Sequence, residues 1–333
     1  MQSLPNNQRV HTVSVVIPVY AGHQTLNEVV GELKKYCSPS STPHQRDFVI
    51  KEIILVDDCG TDGSAEVIRE LSGADPRIVP VWLTRNYGQH AATIAGMATS
   101  SSDWVLTIDE DGQHNPGHLG EMLDLAIEKK CPLVYGREQD KEPHGRYRNF
   151  ASRNLKKFVL PLLFEDKSFR YFSSFRLMTG STARTVAAFA NHGAYLDVVL
   201  NSVARASVIC FVKFRSELRP TSSYTKRKLV AHFARLVVSS GTRPLRIMSI
   251  CGGATFVIGA VAALIILLGK LVNGYSSNGW ASLISLMLIL GGAILTSLGI
   301  IAEYVGVLIR QAIGLPLYVV GQDSEDGPLN QKC

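Results

Sequence analysis

Apolar runs of strand length alternate with helical periods through the first third of the chain. Val13-Ser14-Val15-Val16-Ile17-Pro18-Val19-Tyr20 reads as a buried strand that stops at a proline, and a helical pattern follows from about Thr25 to Tyr36. Lys51-Glu52-Ile53-Ile54-Leu55-Val56-Asp57-Asp58 predicts a second strand, ending in two acids. Gly60-Thr61-Asp62-Gly63-Ser64 is then a run of turn formers, and Ala65 to Leu71 returns as a helix. Arg77 to Leu83 predicts a third strand, His90 to Ala98 a small-residue helix, and Trp104-Val105-Leu106 a fourth strand. Strands alternating with helices imply right-handed parallel crossovers, so this half reads as a Rossmann-like α/β domain with a mostly parallel sheet.

Further along, the pattern changes in kind. No charged residue occurs from Ile247 to Gly269 or from Trp280 to Ala302, and each window has about the ~20 residues that cross a bilayer. Two transmembrane helices are therefore expected. Upstream, Leu155, Phe158, Val159, Leu162 and Leu163 repeat at helical spacing while Arg153, Lys156 and Lys157 take other faces. After Tyr224 the same arrangement recurs, with Leu229, Val230, Phe233, Leu236 and Val237 apolar and Lys226, Lys228, His232 and Arg235 polar. Basic amphipathic helices beside a membrane anchor lie naturally in the interface, with packing on the core as the alternative. The expected division is a cytoplasmic domain over 1–220, a juxtamembrane helix over 221–246, a transmembrane hairpin over 247–302 and a tail with a short β segment over 303–333.

At 333 residues and 46% hydrophobic content, one sizeable domain plus an appendage fits. The formal charge is +6, and Lys226, Arg227, Lys228, Arg235, Arg243 and Arg246 precede the first apolar run, whereas the connection between the runs has Lys270 at its edge. Positive residues stay inside, so both large extramembrane parts are expected in the cytoplasm of a multi-pass inner-membrane protein. The polar start, Met1 to His11, lacks an apolar signal core. Six cysteines form no C-x-x-C pair and read as isolated thiols of a reducing compartment. No G-x-G-x-x-G follows the first strand and no G-x-x-x-x-G-K-[ST] occurs, which disfavours dinucleotide redox chemistry and Walker-type hydrolysis.

Candidate chemistry concentrates where the fourth strand stops, in Thr107-Ile108-Asp109-Glu110-Asp111-Gly112-Gln113-His114. Ligands of open parallel sheets bind beyond the carboxyl ends of strands. In extended chain, Asp109 and Asp111 fall on one side, where they are able to share a hard divalent cation, Mg²⁺ or Mn²⁺, with Gln113 supplying another oxygen. A solvated turn or helix cap is the plainer reading of two nearby aspartates.

Pro18-Val19-Tyr20, Val56-Asp57-Asp58 with Thr61-Asp62-Gly63-Ser64, Leu83-Thr84-Arg85-Asn86-Tyr87-Gly88, Asp109-Glu110-Asp111-Gly112-Gln113 and Tyr135-Gly136-Arg137 stand in the order and spacing of family 2 glycosyltransferases. With Phe175-Arg176-Leu177-Met178, Pro244-Leu245-Arg246 and Glu303-Tyr304-Val305-Gly306, the chain most resembles the polyprenyl-phosphate branch, over nearly its whole length. The resemblance implies a GT-A fold, with Pro18, Tyr20 and Asp57 at the nucleotide base, Asp58 nearby, and Arg85 and Arg137 at the donor diphosphate. Arg148, Ser152 and Arg219 are the expected contacts of the lipid phosphate. The implied catalytic set is Asp109, Asp111, Arg137 and Arg219. It also implies tetramer-forming relatives, so the β-prone run Leu317-Tyr318-Val319-Val320 is expected to pair with another protomer's edge.

Two positions depart from the family pattern. Ala21 and Gly22 stand where many relatives have Asn-Glu, and Ser174 stands where relatives often have an aspartate before Phe-Arg-Leu-Met, which removes a candidate base. The expected activity is inverting, metal-dependent transfer of one sugar from a nucleotide-sugar, UDP-linked in preference to GDP-linked, to undecaprenyl or a similar polyprenyl phosphate at the membrane. Such products typically serve surface-polysaccharide, lipopolysaccharide or glycolipid modification. The alternatives are another lipid acceptor, diacylglycerol or a lipid-linked saccharide, and a non-catalytic membrane scaffold. No nucleic-acid partner is implied.

Overall fold

The computed structural model describes residues 9–138, 172–190, 195–215, 279–313 and 316–323, with scattered positions between 250 and 268. Strands β1 (His11–Val19) and β3 (Asp47–Asp57) run parallel at the centre of a sheet. Successive side chains of a strand face opposite sides. Accordingly Val13, Val15, Ile17 and Val19 enter one core with Ile53 and Leu55, while Val16 enters the other with Ile54 and Val56. The first core is closed by α1 (Leu26–Lys34), α2 (Ser64–Ala74) and α4 (Leu119–Glu128). The second is closed by α3 (Gln89–Thr99), α5 (Gly180–Phe189) and α6 (Leu196–Ala204). Cover on both faces is why these strands read as continuous apolar runs.

Six predicted elements recur within a few residues of their expected bounds, together with the fourth strand, β5 (Trp104–Thr107). The expectation of a mostly parallel sheet requires correction. The order is β2-β3-β1-β5-β7-β6-β8, with β4 (Ile78–Trp82) also on β3. The short β2 (Ser40–Ser41) pairs antiparallel with β3, and β7 (Arg176–Thr179) runs antiparallel between β5 and β6 (Leu133–Glu138). Beyond it, β8 (Val208–Val212) is parallel to β6. The sheet is mixed because the apolar period of a short strand carries no direction; the connections on either side impose it. Two reversals across β7 return β6 to the direction of β5, so both carboxyl ends reach one edge.

Helix α7 (Trp280–Ala312) is, among the described residues, the one long and apolar enough to cross a membrane. Met287, Ile294 and Leu295 on it are exposed. Of the two expected spans, a helix of sufficient length and apolarity stands at the second, while the first lies mostly outside the described residues, as do both amphipathic helices. In the tail, Val320 bridges antiparallel to Leu83 of the same chain. Cys37, Cys131 and Cys210 are free thiols as expected, whereas Cys59 is disulfide-bonded and departs from that expectation.

Helix α3 lies close against β1 and β3 at Gly96, where an added Cβ would come 2.3 Å from Val16 Cγ1 and 3.0 Å from Val56 Cγ2. Gly73, near the end of α2, has open space around it. Overpacking costs about 1–3 kcal/mol or more, against about 1 kcal/mol of helix propensity gained on replacing glycine by alanine. Gly96→Ala is therefore expected to lower stability and Gly73→Ala to leave it level or raise it, as measured by denaturation of the full chain in detergent.

Candidate active site

Register brings the motif residues to one edge of the sheet. Pro18 pairs with Val56, Val19 with Asp57, and Val16 with Thr107, so β1, β3 and β5 end together. Asp58 N–H donates to Val19 O at 2.8 Å and Ile108 N–H to Val16 O at 3.1 Å, which extends the ladder into the loops that carry the acids.

The two acids after β3 do different things. Asp57 is buried, and burial pushes its carboxyl up to about 6; the Gly60 N–H at 3.4 Å pulls the other way and the neighbouring Asp58 charge adds to the rise. Asp58 accepts the Tyr87 N–H at 2.7 Å and the Gly88 N–H at 2.8 Å. Burial raises its pKa while those two donors hold it down. Asp58 thereby clamps the loop of residues 84–88, and Gly88 takes a φ of 91°. Arg85, exposed on that loop, lies over the Tyr87 ring at 4.7 Å.

The loop after β5 is folded by its own polar groups. Asp111 Oδ1 accepts the Gln113 N–H at 3.0 Å across Gly112, whose φ is 75°. Gln113 O in turn accepts the Arg215 N–H at 2.9 Å. Asp109 accepts from Gln89 Nε2 at 2.6 Å and from the Ser174 hydroxyl. Its backbone N–H donates to His114 Nδ1 at 3.0 Å. His114 is buried, stacked on Phe175 at 5.0 Å and edge-on to Phe214 at 5.1 Å. Burial lowers its pKa, against the pull of Asp109 and Asp111, so the ring is neutral and carries its proton on Nε2.

Sequence reasoning passed over Glu110, which proves to tie the two loops together. Its carboxylate accepts the Tyr20 N–H at 2.9 Å and the Ala21 N–H at 3.1 Å, and its carbonyl accepts the Thr25 hydroxyl at 2.6 Å. Gly22 leaves the room for this, since a Cβ there would sit 2.8 Å from Glu110 Oε2.

A cleft of about 210 Å³ opens beside Asp109, with Pro18, Gln89, His90, Phe172, Ser174 and Tyr195 in its wall. Arg176 and Asp197 also line it, as a buried bidentate pair at 2.8 and 3.1 Å. Burial pushes the Asp197 carboxyl up and the guanidinium pulls it down. Ser174, the departure from the family pattern, places its hydroxyl on Asp109 and its carbonyl on the Thr107 hydroxyl at 2.7 Å.

Of the expected site residues, Pro18 and Asp109 meet in the cleft, with Ser174 beside them, and Asp57, Asp58 and Tyr20 stand at the adjoining strand ends. Arg137 lies within β6 rather than after it, in register with Phe211 of β8 and half-buried. Arg148, Ser152 and Arg219 lie outside the described residues. Among the described residues no group of three acidic, His or Cys side chains converges as a closed metal cage. Asp109 and Asp111, on one loop, offer carboxylate oxygens, the donor type that Mg²⁺ and Mn²⁺ take.

The profile of glycosyl transferase family 2 matches residues 14–193. An undecaprenyl-phosphate 4-deoxy-4-formamido-L-arabinose transferase of Aeromonas hydrophila is 28% identical over 95% of this chain and 95% of its own. The protein of the same name from Edwardsiella ictaluri is 29% identical over 93% of this chain and 94% of its own. Among solved structures, glucosyl-3-phosphoglycerate synthase of Mycobacterium tuberculosis, in complex with Mn²⁺, UDP-glucose and phosphoglyceric acid, overlaps with a TM-score of 0.48 at 19% identity, over 69% of this chain and 80% of that one.

The raised pKa of Asp57 has a signed consequence for stability. Its folded value of about 6 lies above that of an unfolded aspartate, about 3.9, so its contribution is full below about pH 4 and is lost as pH rises through about 6. Relative to Asp57→Asn, the wild-type chain is expected to lose about 2 kcal/mol of stability between pH 4 and pH 7. Paired denaturation curves across that range check it; parallel curves would remove the buried-carboxylate account.

Proposed function

The chain belongs to glycosyl transferase family 2 and is a glycosyltransferase, and on that premise we propose that it moves a single sugar from a UDP-sugar to a polyprenyl phosphate, with inversion, at the cytoplasmic face of the membrane. The observation that carries this reading is the Asp109–Asp111 loop, set at the carboxyl edge of the sheet and open to a cleft, in a chain that also has a 33-residue apolar helix. The names of the relatives support undecaprenyl phosphate as acceptor and a 4-deoxy-4-formamido pentose as sugar.

The expected site residues divide the tasks in this reading. The Asp57 carboxylate accepts an N–H of the nucleotide base, a directional contact that a mismatched base leaves unpaired. Arg85 and Arg137 offer planar donor forks to the diphosphate. Asp109 and Asp111, with Gln113, hold Mg²⁺ or Mn²⁺, which supplies charge neutralisation for the departing nucleoside diphosphate. Arg148, Ser152 and Arg219 take the lipid phosphate. A phosphate monoester has a second pKa near ~6 and is already largely the anionic nucleophile at neutral pH, so the reaction runs without a strong base. That accommodates Ser174: its hydroxyl orients Asp109 where relatives have an acid. The remaining requirement is alignment of the phosphate oxygen with the anomeric carbon.

An acceptor with a free sugar hydroxyl would need a general base, and a scaffold would need neither donor nor metal. The purified full chain in detergent, given undecaprenyl phosphate and a panel of UDP- and GDP-sugars, is expected to release UDP with the lipid monophosphate and not with lipid-linked saccharides or diacylglycerol. Asp111→Ala and excess chelator are each expected to reduce the rate at least about 100-fold, with recovery after chelation on adding Mg²⁺ or Mn²⁺. Full turnover by Asp111→Ala would refute the metal role, and no transfer by wild type with any donor would favour the scaffold.

A further inference from the structure

The segment that follows α7 returns to the catalytic domain and meets the end of the edge strand β4 and the two residues after it. Thr84 N–H donates to Val319 O at 3.1 Å, Gly321 N–H donates to Trp82 O at 2.8 Å, and Leu83 and Val320 form the antiparallel bridge between them. Leu317 and Tyr318 pack on the core beneath α3. Past the bridge, Asp323 receives Arg69 of α2 in a two-pronged ion pair, with Nε and Nη2 each at 2.7 Å from a carboxylate oxygen. The Arg69 guanidinium also lies 5.4 Å from the Trp82 ring centre. Both partners are largely screened from solvent, with side chains 21% and 12% exposed, so this pair is less diluted by water than a surface one.

What the segment grips matters for the site. Trp82 to Thr84 lead directly into the loop that carries Arg85, and Leu83 N–H donates to Asp57 O at 3.0 Å. Asp58 holds the far end of that loop at Tyr87 and Gly88, so the loop is pinned at one end by a catalytic-domain acid and at the other by the chain's own tail. The tail begins only a few residues after an apolar helix long enough to span a bilayer. Arg69 is also among the charges felt by Asp57.

We propose that residues 316–323 form a strap that ties the loop 84–88 to the end of the membrane helix, with Arg69 and Asp323 as its latch and as positioning residues for donor binding. The inference rests on the proposed role of Arg85 and its loop at the donor diphosphate. It adds that donor affinity depends on contacts made by a segment distant in sequence, and that these are made within one chain.

Two readouts on the full chain in detergent test it. Asp323→Asn and Arg69→Gln are each expected to speed amide hydrogen exchange at residues 82–88 and to raise the donor KM about tenfold while kcat stays within about twofold. The exchanged pair, Arg69→Asp with Asp323→Arg, is expected to recover most of both losses, which distinguishes a latch from a general loss of packing. Unchanged exchange overturns the strap. Faster exchange with an unchanged donor KM, or a fall confined to kcat, overturns the positioning role and leaves the proposed reaction standing. Recovery of activity on co-expressing the charge-reversed singles, Arg69→Asp and Asp323→Arg, would show the contact made between copies and overturn the intrachain arrangement. Should wild type transfer no sugar at all, the proposed function fails, while the exchange experiment still decides the strap.

Discussion

Five carboxylates crowd the carboxyl edge of one sheet: Asp57 and Asp58 after β3, and Asp109, Glu110 and Asp111 after β5. Like charges this close oppose folding unless each is paired, neutralised or left in water. The structure treats them individually. Asp58 and Glu110 are each spent on two backbone N–H groups, and Asp57 responds to burial with a raised pKa. Asp109 stands in the cleft wall, bonded to Gln89 and Ser174, and Asp111 accepts the Gln113 N–H of its own loop. The edge therefore shapes its loops with its own acids, and Asp109 is the one of the five that also lines the cleft.

Beneath that edge, the cleft is kept in form by polar contacts that the solvent does not reach. The Arg176–Asp197 pair joins the antiparallel β7 to α6, and Arg176 also approaches the Thr107 hydroxyl at 3.4 Å. Removing one member of such a buried pair leaves an uncompensated charge, so the pair resists piecemeal change. On the other side, His114 fills the space between Asp109 and two phenylalanines, and its neutral ring receives the Asp109 N–H. The pocket wall is thus set by elements far apart in sequence: α3, β5, β7 and α6.

The apolar helix and the catalytic edge are joined through the tail. Pairing of Val320 with Leu83 occupies the backbone just past the end of β4, the stretch that leads into the loop 84–88. The same contact fixes where the Arg85 loop begins.

Local pattern alone was enough for the β1–α1–β3–α2–β4–α3–β5 succession, because each element buries a face whose period is written in consecutive residues. It also marked Asp57, Asp109 and Asp111, since acids at the ends of apolar runs stand out without any knowledge of neighbours. It did not determine the direction of β7, the capture of Glu110 by the loop after β1, the conversion of Asp58 into a loop clamp, or the bridge from Val320 to Leu83. Each of these depends on which segments meet in space. Whether an acid is free for a ligand or spent on an N–H is a property of the distance between two loops, and only the packed sheet brings those loops within hydrogen-bond reach.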